Sequence, residues 1–116
     1  VTEVYGLGGM SSIAGPAYAR FTGATFADAK DRTEKARAVS LGEHTFAPIP
    51  WDDYRGFPVG IDARKVVGYN ILPISHGGSA LKTGGQAGAG AAALPLECFK
   101  QALLAIRDQA LAARAE

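Results

Sequence analysis

The chain has 116 residues, 47% of them apolar, and 12 basic side chains against 11 acidic ones give a formal net charge of +1. Lys and Arg are spread along the chain and interleaved with acids, so a nucleic-acid backbone or an anionic membrane surface meets no basic stripe. No run of residues reaches the ~20 apolar positions that cross a bilayer, and Cys98, the single cysteine, leaves no intrachain disulfide and no cysteine-based zinc site.

This length suits one domain over residues 1–116, with one core. The lone cysteine fits a reducing compartment such as the cytoplasm, while the compartment stays open. The opening "VTEVYGLGG" has no basic segment followed by an apolar one, so it does not read as a signal peptide. It alternates weakly and ends in glycines, as a short strand closing in a turn does. Pro16 argues against a helix interior in "MSSIAGPAYARF", and "AYARF" alternates, so Val1–Leu7 and Ala17–Phe21 are expected to pair as a hairpin.

"TFADAKDRTEKARAVSL" reads as a helix. Thr25 is a good N-cap with Asp28 completing a capping box, and Gly42 is a suitable stop. Phe26, Ala29, Thr33, Ala36 and Val39 fall at helical spacing on a narrow apolar face. The charges on the other face read as solvated, with i,i+4 pairs such as Asp28–Arg32 and Asp31–Lys35. "HTFAPIPWDDYRG" reads as a rigid loop with a tight turn near "WDDYRG". "FPVGID" and "KVVGYNILPI" read as two strands joined at "DARK". The second half of "SHGGSALKTGGQAGAGAAAL" reads as a small-residue helix that packing must support, since each glycine costs about 1 kcal/mol against alanine there. Pro95 ends it. "LPLECFKQALLAIRDQALAARAE" is an amphipathic helix whose stripe of Leu96, Phe99, Leu103, Ile106 and Ala110, widened by Leu104 and Leu111, is expected to face a core.

Several motifs bear on chemistry. "GLGGMS" follows the first expected strand, but Ser11 stands where a dinucleotide fingerprint needs its third glycine, and Pro16 interrupts the helix that would follow; a glycine turn explains it better. "SHGGS" is not a nucleophile elbow. Its His76 is a candidate metal ligand or general base, against the plainer reading of a surface-loop histidine. His44, just past a helix end where a cation is favoured, is a second candidate ligand. Neither histidine belongs to an H-x-x-x-H pair. In "WDDYR", Asp52 and Asp53 read as turn residues rather than as an acid–base pair, whose pKa values would have to be driven apart.

The chain resembles the GlcG/HbpS family of small α/β proteins, which includes haem-binding members. "ARFTGATFADAKDRTEKARAVSLG" is similar to the family's strand exit R-x-x-G-A followed by a helix ending in E-K-A-R-x-x-x-L-G, with Arg20, Gly23, Ala24, Glu34, Lys35, Ala36 and Arg37 at matching spacing. "GFPVGIDARKVVG" is similar to its hairpin G-x-P-V-x-x-D-G-x-x-x-G with one extra residue, and "GGQAGAGAAAL" to its terminal helix. The family's usual first helix is missing at the start, while "LPLECFKQALLAI" looks like it, which implies a circularly permuted order or a piece of a tandem array. The family's G-V-S-G is replaced by "ILPISHGG".

The expected fold is therefore α/β (α+β): an antiparallel sheet of four to five strands in profilin-like layering, with helices packed on one face and the permuted helix at the C-terminus. The resemblance implies an oligomeric small-molecule binder, for haem or another tetrapyrrole. His76 or His44 would be the axial ligand, Lys35, Arg37 or Arg20 would meet propionates, and Phe46, Trp51 and Tyr69 would give apolar cover. The rival is an enzyme or enzyme subunit acting on a small organic acid, with His76 as general base and Arg55 or Lys35 holding the carboxylate. A third reading is an assembly subunit without chemistry of its own. The expected partners are a small-molecule ligand and further copies of the chain, with no nucleic acid and no membrane.

Overall fold

A computed structural model describes residues 5–115, apart from the side chains of Ala80 and Gln86. In order, the chain forms a 3-10 helix (Gly9–Ala14), α1 (Pro16–Phe21), α2 (Phe26–Ala38), β1 (Ser40–Ile49), β2 (Arg55–Ile61), α3 (Ala63–Tyr69), β3 (Ile74–Ala80), β4 (Gln86–Ala93) and α4 (Leu96–Ala115). The α+β class is as expected. The strands, however, do not join in one sheet with helices on one face: β1 pairs with β2 and β3 with β4, both antiparallel, as two separate ribbons.

The packing is uneven. Met10, Ile13, Val39, Ile49 and Val66 are buried, with Ala19, Ala24, Ala29 and Ala36 filling the contacts between the helices. Here the 3-10 helix lies against α2, and both reach the β1–β2 ribbon. After Pro73, no described residue is buried. α4, which is ~30 Å long at 1.5 Å per residue, rests on α3 through the half-buried Leu96, Phe99 and Leu103. It leaves Leu104, Ile106 and Leu111 in solvent, so the stripe expected to face a core is largely uncovered. The radius of gyration, 16.4 Å, exceeds the ~13 Å of a compact chain this long.

α2 begins as its sequence requires. Thr25 Oγ1 accepts from Asp28 N at 3.1 Å, and Asp28 Oδ2 accepts from Thr25 N at 2.8 Å, closing the capping box. These bonds hold the Asp28 carboxyl below its ordinary pKa, the Thr25 backbone donor first.

Four other elements differ from expectation. Residues 1–4 of the expected first hairpin lie outside the described residues, and its second strand is α1, a helix. Pro16 sits in the first turn of α1, where its missing N–H costs nothing and its fixed φ suits the helix. "HTFAPI" belongs to strand β1 rather than to a loop; Pro48 is tolerated at an irregular stretch of register between Glu43 and Pro48. The turn after it is where "WDDYR" placed it, with Asp53 and Tyr54 both at positive φ. The "DARK" hairpin is a strand followed by a helix. Asp62 Oδ1 accepts from Arg64 N at 3.0 Å as the N-cap of α3, and Asn70 closes that helix in the left-handed region. Without glycine, "DARK" lacks the residue a tight hairpin favours.

The "GGQAGAGAAAL" segment, expected as a helix, is strand β4. Its glycines penalise a helix, whereas an antiparallel partner supplies every second residue with backbone bonds. Gly84 and Gly85, at φ +89° and +82°, make the turn that brings β4 back along β3. Two of the three stretches carrying the family resemblance thus fold differently from what it implied, and the third keeps its helix but begins in helix α1 where a strand exit was implied.

Candidate functional site

The "GLGGMSS" glycines explain how the 3-10 helix comes to lie on β3. A Cβ on Gly9 would stand 2.3 Å from the Ile74 carbonyl oxygen, and one on Gly6 would overlap the Pro58 carbonyl, so backbone approaches backbone where no other residue fits. That contact carries Ser12 to His76. Ser12 Oγ donates to Gly9 O at 2.7 Å and lies 3.4 Å from His76 Nε2. A hydroxyl has one proton. With it on Gly9 O, the approach to His76 is made by an imidazole N–H toward the serine oxygen. Ser12 therefore steadies His76, and is not the activated nucleophile a Ser–His pair would need.

Tyr18 completes the setting. Its ring centroid is 5.3 Å from that of His76, and its hydroxyl donates to Gly77 O at 3.4 Å. The result is an open concavity of about 310 Å³ lined by Leu7, Ser11, Ser12, Gly15, Tyr18 and His76. It places one proton-transfer group among hydroxyls, an arrangement suited to a small polar ligand.

A second polar cluster is structural. Arg37, with its side chain 4% exposed, puts Nη1 2.6 Å from Asp52 Oδ2 and 2.6 Å from Glu34 Oε1. Its Nη2 and Nε donate to Gly56 O at 3.0 and 3.3 Å. Asp52, 3% exposed, takes this ion pair at Oδ2 without a well-aligned hydrogen bond there. Arg55 meets Glu34 at 2.9 Å and Glu43 at 2.5 Å, and the Glu43 bond is the main reason its pKa is raised. Two arginines and three carboxylates so tie α2 to the β1–β2 ribbon and its turn. Arg37 is occupied by this role, and a ligand carboxylate would have to displace Asp52 to reach it.

The other candidates are scattered. Arg20 is exposed on α1. Lys35 is exposed on α2, 2.7 Å from Asp31, at a cleft also lined by Arg32 and residues 70–74. His44 is buried on β1, its ring between those of Tyr5 and Phe46 at 4.8 and 4.9 Å, with Nε2 3.4 Å from Tyr5 O. Phe46 is 76% exposed. Trp51 is half-exposed in the turn after β1 and donates Nε1–H to Ile13 O at 2.6 Å, and Tyr69 is exposed at the end of α3.

The two histidines stand on different ribbons. Among the described residues, no three His, Cys, Asp or Glu side chains are grouped to hold a metal. An axial histidine, a propionate clamp and an apolar slot do not meet in one place among the described residues. Ser12, Tyr18 and Arg32 were not apparent as site residues in the sequence. For Ser12 the sequence signal is the glycine cluster, which marks a close approach but not what approaches.

No family model matches the chain. Over 93% of its length it is 38% identical to the oxamate carbamoyltransferase subunit AllG of Escherichia coli K12, and over 90% it is 35% identical to the uncharacterized protein YahG of the same organism. The matched regions are 26% and 22% of those proteins, so the chain spans about a quarter of the length of the curated relatives it matches. A crystal structure of a conserved protein of unknown function from Enterococcus faecalis V583 superposes with a TM-score of 0.81 at 34% identity, covering 92% of this chain and 26% of that one.

Proposed function

We propose that this chain is part of an enzyme subunit acting on a small organic acid, with His76 exchanging a proton with the ligand in the Ser12–Tyr18 concavity. The observation that carries the reading is the placement of His76. It is the imidazole the fold delivers to a hydroxyl-lined hollow, by way of a glycine contact that admits no side chain. The likeness to AllG supports the substrate class, because the oxamate of that protein's name is a small carboxylate bearing an amide. That name also describes a subunit, so association with other polypeptide belongs to this reading.

The test is turnover of oxamate and related small acids by the purified protein with its co-purifying partners, comparing His76→Gln with the parent. General acid–base catalysis predicts a fall in kcat of roughly 10²–10⁴-fold with little change in KM. Full activity in His76→Gln would remove the histidine from the mechanism. Absence of turnover on any small acid would remove the enzyme reading itself.

A further inference from the structure

α2 carries a cation whose obvious partner is engaged elsewhere. Asp28 lies one turn before Arg32, the i,i+4 spacing of a helix ion pair. Its carboxylate instead accepts from Thr25 N and from Thr25 Oγ1 at 2.7 Å, and its influence on Arg32 is through-space charge alone. Arg32 Nη1 is buried and has no hydrogen-bond partner. A buried donor left unmade is costly, and more so for a charged one.

Arg32 lines an open cleft of about 380 Å³ between α2 and the segment that leads into β3. The facing wall is apolar, formed by Ile71, Leu72, Pro73 and Ile74, with Ala93 of β4 beside them. Lys35 and Asp31 are also part of the lining, neutralising each other at 2.7 Å. The cleft so combines a guanidinium whose Nη1 has no hydrogen-bond partner with an apolar wall and an internally balanced pair.

We infer that this cleft is a binding site for a monocarboxylate with a compact apolar body, whose carboxylate engages the guanidinium of Arg32 while its hydrocarbon lies on Ile71–Ile74. A planar carboxylate matches the fork geometry of arginine. A bare inorganic anion leaves the wall uncovered, and a neutral amide leaves the charge unanswered. The site is separate from the His76 concavity and does not depend on the reading given to it.

The experiment is a titration of the ¹⁵N-labelled protein with 4-methylpentanoate, with 4-methylpentanamide and inorganic phosphate in parallel. Saturable amide shifts centred on residues 70–74 are expected for the carboxylate, with affinity at least about tenfold weaker for the amide and for phosphate. Arg32→Gln should remove that preference, and Arg32→Lys, which keeps the charge without the fork, should lie between. Arg32→Met should raise the ligand-free melting temperature by a few degrees, because a buried guanidinium nitrogen without a hydrogen-bond partner disappears. Equal binding of acid and amide, shifts centred elsewhere, no binding at millimolar ligand, or an Arg32→Gln variant with unchanged preference would each overturn the proposal. Tighter phosphate than carboxylate binding would overturn it in favour of an inorganic anion.

Discussion

From Gly9 to Val66 the chain buries Met10, Ile13, Val39, Ile49 and Val66 to 1% exposure or less, and fastens its helix to its ribbon with the Arg37–Asp52 ion pair. From Ile74 to Ala115 it builds a ribbon and a 20-residue helix in which no described side chain is buried. Both halves are regular in backbone, so hydrogen bonding does not separate them. Side-chain volume does. β4 is glycine and alanine after its first residue, and a two-stranded ribbon of such residues has little to pack. α4 has the apolar residues, but among the described residues α3 is its main packing partner. The first half is held by burial, the second by continuity with the first.

The strongest challenge to that contrast is to cut the polar fastening of the packed half. Arg37→Met strands Asp52 as a buried unpaired carboxylate and should cost about 3–5 kcal/mol, read as a lower urea midpoint. A loss below 1 kcal/mol would show that the network is incidental to stability. Next comes a matched pair of truncations: Ile49→Ala should cost about 2–4 kcal/mol, Ile106→Ala no more than about 0.5 kcal/mol. If the two cost the same, α4 is covered in solution by something that buries Ile106.

Removing the cap of α2 is a gentler probe. Thr25→Ala should cost about 1 kcal/mol in thermal or urea unfolding, provided α2 belongs to the cooperative core. The smallest effect concerns pH. Arg64 hydrogen-bonds the Asp62 carboxyl and lowers its pKa from 3.8 to about 2. A depressed folded-state pKa contributes stability that is full above pH 4 and is lost as pH falls through 2. The advantage of the parent over Asp62→Asn, which keeps a capping oxygen, should shrink across that window in acid titrations followed by circular dichroism. An advantage constant from pH 5 to pH 2 would refute the assignment.

What could be read from the sequence follows the same division. α2 was clear because its cap, apolar face and stop all agree, and α4 because thirteen of its twenty residues, Leu96 to Ala115, are apolar or alanine at helical spacing. α1 and α3 were misread as strands because six- and seven-residue helices show too little period to outweigh Pro16 or the β-branched Val66–Val67. The caps Asp62 and Asn70 were the better signal. β4 was misread because small residues suit either backbone until a partner strand decides.

At the candidate site, His76 was recognisable by its chemistry. Ser12, 64 residues away, was not. The family resemblance offered Arg37 as a ligand-binding cation, and its partner Asp52, beyond β1 in the chain, is out of reach of a local reading. Arg32 looked paired because helical spacing does not reveal that a capping box has already engaged Asp28.

The β3–β4 ribbon has one more consequence. Among the described residues no strand pairs with β4 beyond β3, so β4 presents an edge of backbone donors and acceptors, while β3 is met at Ile74 by Gly9 of the 3-10 helix; neither strand contains an Asp, Glu, Lys or Arg. Charged gatekeepers, prolines and bulky side chains are what ordinarily keep such edges from recruiting strands of another molecule. The alternation of glycine and alanine in Ala87–Ala91 also lets flat ribbons stack closely. Recruitment of a strand from another molecule at high concentration is then expected at β4, and a single Ala89→Lys at its exposed centre is the change expected to reduce it.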